Sequence, residues 1–295
     1  MTGIFQVFLD GLSLGASYAL LALGLTMVFG VLGLVNFAYG DMIMWTAFLA
    51  ASLWAWGLPL IVVVPLTIIG GTLLSLVVGE VVFRRVGTQN PLSLLLVSFG
   101  LSLVLVALAV QVFGELAFVF PSPEYLSRVV EVGGAQVSVL SLVDVGVAAA
   151  ILAALFLLLN RSELGLMLRA TAENVRTARL MGVRPKSMVR LSFAISGAIG
   201  GVIALLWFMK VGSLIPRSGL DITLKAFIAL VIGGLGSTRG AVGGGFLLGF
   251  AEAGLATWLP AGWRGYQQAL AFVVVVLLLL LRPQGIGGRV TDTSR

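Results

Sequence analysis

"LGLMLRATAENVRTARLMGVRPKSMVRLSF", residues 164–193, gathers Arg169, Arg176, Arg179, Arg184, Lys186 and Arg190, six of the chain's 18 basic residues. It is too polar to sit in an apolar core, yet Leu164, Leu166, Met167, Leu168, Val175, Leu180 and Met181 recur through it. The rest of the chain is oily. Of 295 residues, 59% are hydrophobic and 10% charged, where a soluble domain carries about 25% charge. Mean hydropathy is +1.12. The basic stretch therefore reads as a loop between membrane spans, and the chain as one all-α polytopic membrane domain over residues 1–295.

A span needs about 20 predominantly apolar residues. Runs at roughly 7–30, 36–56, 58–82, 91–113, 139–159, 191–211, 222–236, 240–259 and 266–282 qualify, giving eight or nine helical segments. Some are short: "ITLKAFIALVIGGLG" (222–236) holds Lys225 and reads as a half-span or re-entrant helix. The first run lacks a basic leader and contains Asp10, so it is expected to stay as a span rather than be cleaved.

Basic residues in short loops mark the cytoplasmic side. Arg84 and Arg85, the loop at about 160–190, and Arg282, Arg289 and Arg295 are thus expected there, with the C-terminus. The loop at 114–138, "GELAFVFPSPEYLSRVVEVGGAQVS", has one Arg and three Glu and reads as external. The N-terminus faces outside if the first three runs all cross, and inside if "VNFAYGDMIMW" is re-entrant. The net charge of +6 follows from this loop pattern and implies no nucleic-acid partner.

Gly11/Gly15, Gly197/Gly201, Gly240/Gly244 and Gly245/Gly249 have GxxxG spacing, which lets helix backbones approach closely in lipid. Glu80 stands four residues before Arg84, the spacing of a helical ion pair. There are no Cys and no His, which removes thiol catalysis and the commonest zinc ligands. Carboxylates are scattered singly, so no enzyme, metal or cofactor site is expected. The Gly-rich "GGLGSTRGAVGGG" (233–245), with Arg239, lacks the GxxxxGK[ST] pattern of a nucleotide loop and reads as a tight turn between spans.

The apolar residues of the basic loop allow one or two short helices, with Thr171 to Met181 expected as one short amphipathic helix. Gly182 suits its C-terminal stop, and Pro185 lies just beyond. Two uses compete: a positive-inside loop lying on anionic membrane lipid, or a docking helix for a partner's groove. The loop resembles the cytoplasmic coupling loop of ABC importer permeases, whose "EAA…G" pattern docks on an ATPase subunit. The matching residues are Ala172, Glu173, Asn174, Ala178 and Gly182, with Arg169 alongside; Asn174 departs from the pattern.

Three further segments narrow the resemblance: "GLSLGASYALLALGLTMVFGVLGLVNFAYGDMIMWTAF" (11–48), "AFIALVIGGLGSTRGAVGGGFLLGFAEAG" (226–254) and "LRPQGIGG" (281–288). Together they resemble the permease subunits of branched-chain amino acid ABC importers, with related permeases for urea and short amides as the alternative solutes. The resemblance implies two cytoplasmic ABC ATPase subunits, a second related permease, a periplasmic or lipid-tethered solute-binding protein, and a place in the bacterial cytoplasmic membrane. A stand-alone secondary transporter or channel is the competing class, but few ionisable groups lie in the spans.

For the path itself, "LVNFAYGDM" places Asn36, Tyr39, Gly40 and Asp41 in an apolar surround. Tyr39 stands where the family often has His. A carboxylate in a bilayer is costly and faces a cavity or partner, so Asp41 is either a path residue or sits in water at an interface. Glu252, in "GFLLGFAEAGLATWL", is either a path residue or a buried polar contact.

Overall fold

The computed structural model describes residues 2–83, 91–120, 122–281, 285 and 287. The predicted runs all form helices: α1 (Thr2–Leu32), α2 (Tyr39–Ala55), α3 (Leu60–Val78), α4 (Pro91–Phe113), α6 (Val139–Arg161), α9 (Pro185–Val211), α10 (Gly219–Gly233), α11 (Thr238–Trp258) and α12 (Gln267–Leu281). In lipid no water satisfies a bare peptide, so an apolar run closes its hydrogen bonds within itself. Among the described residues, six helices are long and apolar enough to cross a membrane. The others, α2 with 17 residues and α10 and α12 with 15 each, fall short. Short helices occupy the loops: α5 (Glu124–Ser127), α7 (Glu163–Glu173) and α8 (Val175–Leu180).

The chain divides into two compact units. The first comprises residues 1–26, 123–149 and 225–295, the second 27–122 and 150–224.

In the first unit, α11 lies against α1 backbone to backbone. A Cβ on Gly245 would stand 2.5 Å from Ala19 Cα, and one on Gly249 would collide with Gly15. On the other side of the pair, Gly11 and Gly15 receive the rings of Phe250 and Phe246. Gly240 and Gly244 meet Gly233 and Ala229 of α10 in the same way. The turn between α10 and α11 uses Gly234 and Gly236, both at positive φ (96° and 81°), and Ser237 caps α11 by accepting from Gly240 N at 3.0 Å. The turn expected in the Gly-rich 233–245 segment is thus confined to 234–237, and its later glycines lie in the first turns of α11. Gly287 N donates back to Gly233 O at 2.9 Å.

The loop at 114–138 is more ordered than its composition announced. Strands β2 (Val129–Val132) and β3 (Ala135–Ser138) form a hairpin in the first unit, joined through Gly133 and Gly134. Both glycines take positive φ (60° and 85°), the requirement of a two-residue hairpin turn matched to strand twist. Gln6 of α1 exchanges two hydrogen bonds with the backbone of Gln136, 2.9 Å each.

In the second unit, α3 and α9 form the closest pair. A Cβ on Gly197 would stand 2.5 Å from Gly71 O, and one on Gly201 2.7 Å from Ile68 Cα. Ser75 Oγ donates to Phe193 O at 2.7 Å beside this contact. All four GxxxG pairs named from the sequence thus lie at helix contacts. Strands β1 (Phe118–Val119) and β4 (Ser213–Leu214) tie the segment after α4 to that after α9, and Arg217 bridges Glu115 at 3.0 Å in the open.

The end of α3 continues as a π turn, Gly79–Phe83. Arg84, Arg85, Arg282, Arg289 and Arg295 lie outside the described residues, and with Arg84 the helical pair expected for Glu80. The Glu80 carboxylate is taken by Arg190 of α9, Nε to Oε2 and Nη2 to Oε1, both at 2.8 Å. A guanidinium matches a carboxylate in this two-point geometry.

Candidate functional site

Two regions carry the sequence-predicted residues of the second unit. The first is the loop at about 160–190. Ser162 opens α7, accepting from Gly165 N at 3.1 Å, and Gly165 fits directly onto the Leu158–Leu159 backbone, where a Cβ would collide. The single helix expected over Thr171–Met181 is in fact two. Asn174 ends α7 with extended backbone (φ −157°, ψ 106°) and caps α8, its Oδ1 accepting from Arg176 N and Thr177 N at 2.9 and 3.0 Å. Asparagine is among the best N-caps because its side chain replaces the missing carbonyl. The residue that departs from the coupling pattern is the one that breaks the helix.

At the other end of α8, Gly182 takes φ +84°. Its N–H bonds Arg179 O at 3.1 Å and Val183 N bonds Ala178 O at 3.0 Å, the paired closure that needs a left-handed residue after the helix. Ala178 is buried; Ala172, Glu173, Arg176, Arg179 and Gly182 are exposed. Arg169, also exposed, donates to Asn160 at 3.4 Å. Leu180 and Met181 project, 84% and 77% exposed, next to Arg179 and Arg184. Pro185 opens α9 at its first turn, where its missing N–H costs nothing.

The second region is the start of α2. Asn36, Tyr39, Gly40 and Asp41 are all buried there. Asn36 Oδ1 accepts from Ala38 N at 3.1 Å, turning the chain into the helix. Gly40 lies on the start of α10, where a Cβ would collide with Gly219 O and stand 2.8 Å from Thr223 N. Reciprocally, a Cβ on Gly219 would stand 2.7 Å from Asp41 Cα. The Thr223 hydroxyl accepts from Gly40 N at 2.9 Å and lies 3.1 and 3.0 Å from Phe37 O and Gly219 O. Irregular backbone at membrane depth persists only when protein satisfies it, and Thr223 does that here. Asp41 Oδ2 accepts from Ser102 Oγ of α4 at 2.5 Å. Tyr39 turns its ring to α9: a Cβ on Gly200 would be 3.9 Å from Tyr39 Cε2.

Glu252 belongs to the first unit. Tyr18 of α1 donates its hydroxyl to Glu252 Oε2, and Lys225 Nζ of α10 donates to the same hydroxyl at 3.0 Å. Lys225 lies 3.7 Å from Glu252 Oε1 and 5.2 Å from the Tyr18 ring centroid. A second buried carboxylate, Asp144 of α6, accepts from Ser17 at 2.6 Å. Sequence reading named Glu252 and Lys225 but did not pair them, and it missed Tyr18, Ser102, Gly219 and Thr223. The only signal for Thr223 was its place one turn after Gly219 in the short run that also holds Lys225.

Helices that are long and apolar enough to cross define a multi-pass membrane protein. The chain belongs to the family described as the permease component of branched-chain amino acid transport systems, whose model matches residues 7–281. It is 34% identical to the high-affinity branched-chain amino acid transport system permease protein BraD of Pseudomonas aeruginosa, over 96% of this chain and 95% of that one. It is 30% identical to the corresponding LivH protein of Escherichia coli K12, again over 96% and 95%. A weaker similarity, 27% over 43% of this chain, links it to the autoinducer 2 import system permease protein LsrC of Yersinia enterocolitica. No solved structure matches it significantly.

Proposed function

We propose that the chain is the path-forming permease subunit of an ATP-driven importer for branched-chain amino acids, in the bacterial cytoplasmic membrane with its C-terminus in the cytoplasm. The observation that carries the coupling half of this reading is the loop at about 160–190. A lipid-facing orientation signal needs only basic charge; this loop instead presents Leu180 and Met181 to the exterior on a capped, two-helix frame. Burying such side chains in a partner's groove is the favourable outcome.

Two cytoplasmic ABC ATPases are the partners that fit the loop. Arg169, Ala172, Glu173, Asn174, Ala178 and Gly182 form or shape the contact, and closure of the ATPases displaces it. Only a partner that binds the two states of the permease unequally can shift it between them. The loop at 114–138 faces the exterior, where a periplasmic or lipid-tethered binding protein delivers the solute. A second related permease completes the membrane part. Asn36, Tyr39, Gly40 and Asp41 mark the path in one unit and Glu252 in the other. The curated relatives' names support the solute class.

The test is gentle purification of the tagged chain from its native membrane, with mass spectrometry of what accompanies it, followed by uptake of leucine, isoleucine, valine and urea. Two ATPases, a sister permease and saturable leucine uptake are expected. A homogeneous, intact chain that comes alone overturns the reading, and uptake of urea in place of leucine overturns the solute.

A further inference from the structure

We propose that α3 and α9 of the second unit form one rigid lever, pivoted at the β1–β4 bridge and sliding on α2 when the basic loop is displaced. This rests on the importer reading, which supplies the displacement, and adds to it the part that carries the motion and the seam at which the helices slip.

Three observations carry it. First, the contacts between α3 and α9 leave no slack. A Cβ on Gly71 would stand 2.8 Å from Gly197 O, one on Gly197 2.5 Å from Gly71 O, and one on Gly201 2.7 Å from Ile68 Cα. Backbones brought this close by small residues have no side chain between them whose rotamer could absorb a shift. Nearer the loop, Ser75 Oγ donates to Phe193 O at 2.7 Å. The buried Phe193 ring lies on Gly79 and 5.4 Å from the Phe83 ring, centroid to centroid. Arg190 then holds Glu80 at two points. The π turn Gly79–Phe83, a form that recurs at functional positions of helices, is thus clamped to the first turns of α9.

Secondly, α2 is bonded elsewhere. Asp41 accepts from Ser102 of α4, Trp45 Nε1 donates to Leu105 O at 2.9 Å, and the Phe48 and Phe113 rings stack at 4.0 Å. Gly40 N donates to Thr223 at the start of α10. Toward α3 and α9, α2 presents side chains: Leu49 lies on Gly70, the Thr46 methyl on Gly71 and Ile43 on Gly200. Sliding of packed helices over such contacts is the shear mode of conformational change.

Thirdly, the ties between the two groups lie at the end away from the loop. Phe118 and Val119, after α4, pair with Leu214 and Ser213, after α9, and Phe120 N donates to Gly212 O at 3.0 Å. The turn at 56–59 joins α2 to α3. The 27 residues of α9 make a rod about 40 Å long, running from the loop at Pro185 to the bridge at Ser213. A push on the loop acts at one end of a rod held at the other. Gly200, about 20 Å from the bridge, moves about half as far as Pro185, and it moves past Ile43.

Two experiments test this on the complete complex reconstituted with its ATPases and binding protein, in a chain that has no Cys of its own. In the first, Ile43→Cys/Gly200→Cys is oxidised to a disulfide across the seam. Glu80→Cys/Arg190→Cys, bridged by a reducible bis-thiosulfonate, places a lock inside the lever. Reduction releases either lock, so each sample is its own control. The seam lock is expected to lower leucine uptake at least tenfold, with recovery on reduction. The lever lock is expected to leave uptake within twofold of the reduced sample. Uptake that persists through the seam lock overturns the proposal, as does uptake lost to the lever lock and regained on reduction. The second experiment measures spin-label distances and does not depend on a lock forming. Labels at the exposed positions Val81 and Ser187 report within the lever, and labels at Leu96 and Ser187 report between the lever and α4. Between the nucleotide-free and ATP-bound complex, the first distance is expected to hold and the second to shift by about 2 Å or more. A second distance that stays fixed, or a first that shifts as much, overturns the proposal. Absence of ATPases from the wild-type complex is a separate failure, of the importer reading, and is seen before either experiment.

Discussion

Arg190 holds Glu80 through two parallel hydrogen bonds of 2.8 Å, so the first turns of α9 are fastened to the last turns of α3 at the end where the basic loop joins. The same two helices touch through Gly71, Gly197 and Gly201 further along. The helix that follows the loop is thus joined to α3 at two places. The side chains are partly open to solvent (55% and 34%), so the pair itself contributes modestly, about 0.2–1 kcal/mol. A Glu80→Ala/Arg190→Ala double-mutant cycle on heat stability in detergent should return a coupling energy in that range, shrinking with added salt. Additive single variants sink the clasp.

Gly182 adopts a left-handed conformation with open space around it. Replacement by Ala meets no neighbour but strains the backbone, by roughly 1–2 kcal/mol; Asn, which tolerates this conformation, should cost less. Uptake should rank glycine, then Asn, then Ala. Gly182→Arg, which adds bulk to the proposed docking face, should insert at normal levels and fail to transport. Normal uptake by that variant removes the coupling claim.

Asn174 offers a test of the two-helix frame. Asn174→Ala loses the cap on Arg176 N and Thr177 N, at about 1 kcal/mol. Asn174→Asp or Asn174→Ser keeps an acceptor there. Co-purification of the ATPases should fall with Ala and survive with Asp or Ser. Equal recovery across all three means that the cap does not shape the docking face.

At the start of α2, Thr223→Val keeps the shape of the side chain but deprives Gly40 N of its acceptor. A buried donor left unpaired costs about 1–3 kcal/mol. Thr223→Ser should be close to wild type. Gly40→Ala places a Cβ against Gly219 O and Thr223 N, and overpacking of this kind costs about 1–3 kcal/mol. The order of melting temperatures should be wild type, Ser, then Val and Ala. A Val variant as stable as Ser argues that water reaches Gly40.

The helices were legible because each is written locally, as an apolar run closed by Gly, Pro or charge. The GxxxG contacts were legible for the same reason: a small-residue face has one common use in lipid. What stayed hidden depends on residues far apart in the chain. Glu80 is 110 positions from Arg190. Tyr18 reads as one more apolar position of α1 until α10 and α11 bring Lys225 and Glu252 to it. Asn174 was noticed as a deviation from a pattern, although its type already favours a cap. The hairpin is legible in "EVGGAQV", a Gly-Gly pair between alternating residues, a signal that charge counting alone does not weigh.

The reciprocal bonds between Gln6 and Gln136 tie the opening turns of α1 to the hairpin. The two are therefore expected on one face of the membrane, whichever face that is. Single cysteines placed at Gly3 and Gly134, in a chain with none of its own, should react together with an impermeant thiol reagent added to intact cells, or be shielded together.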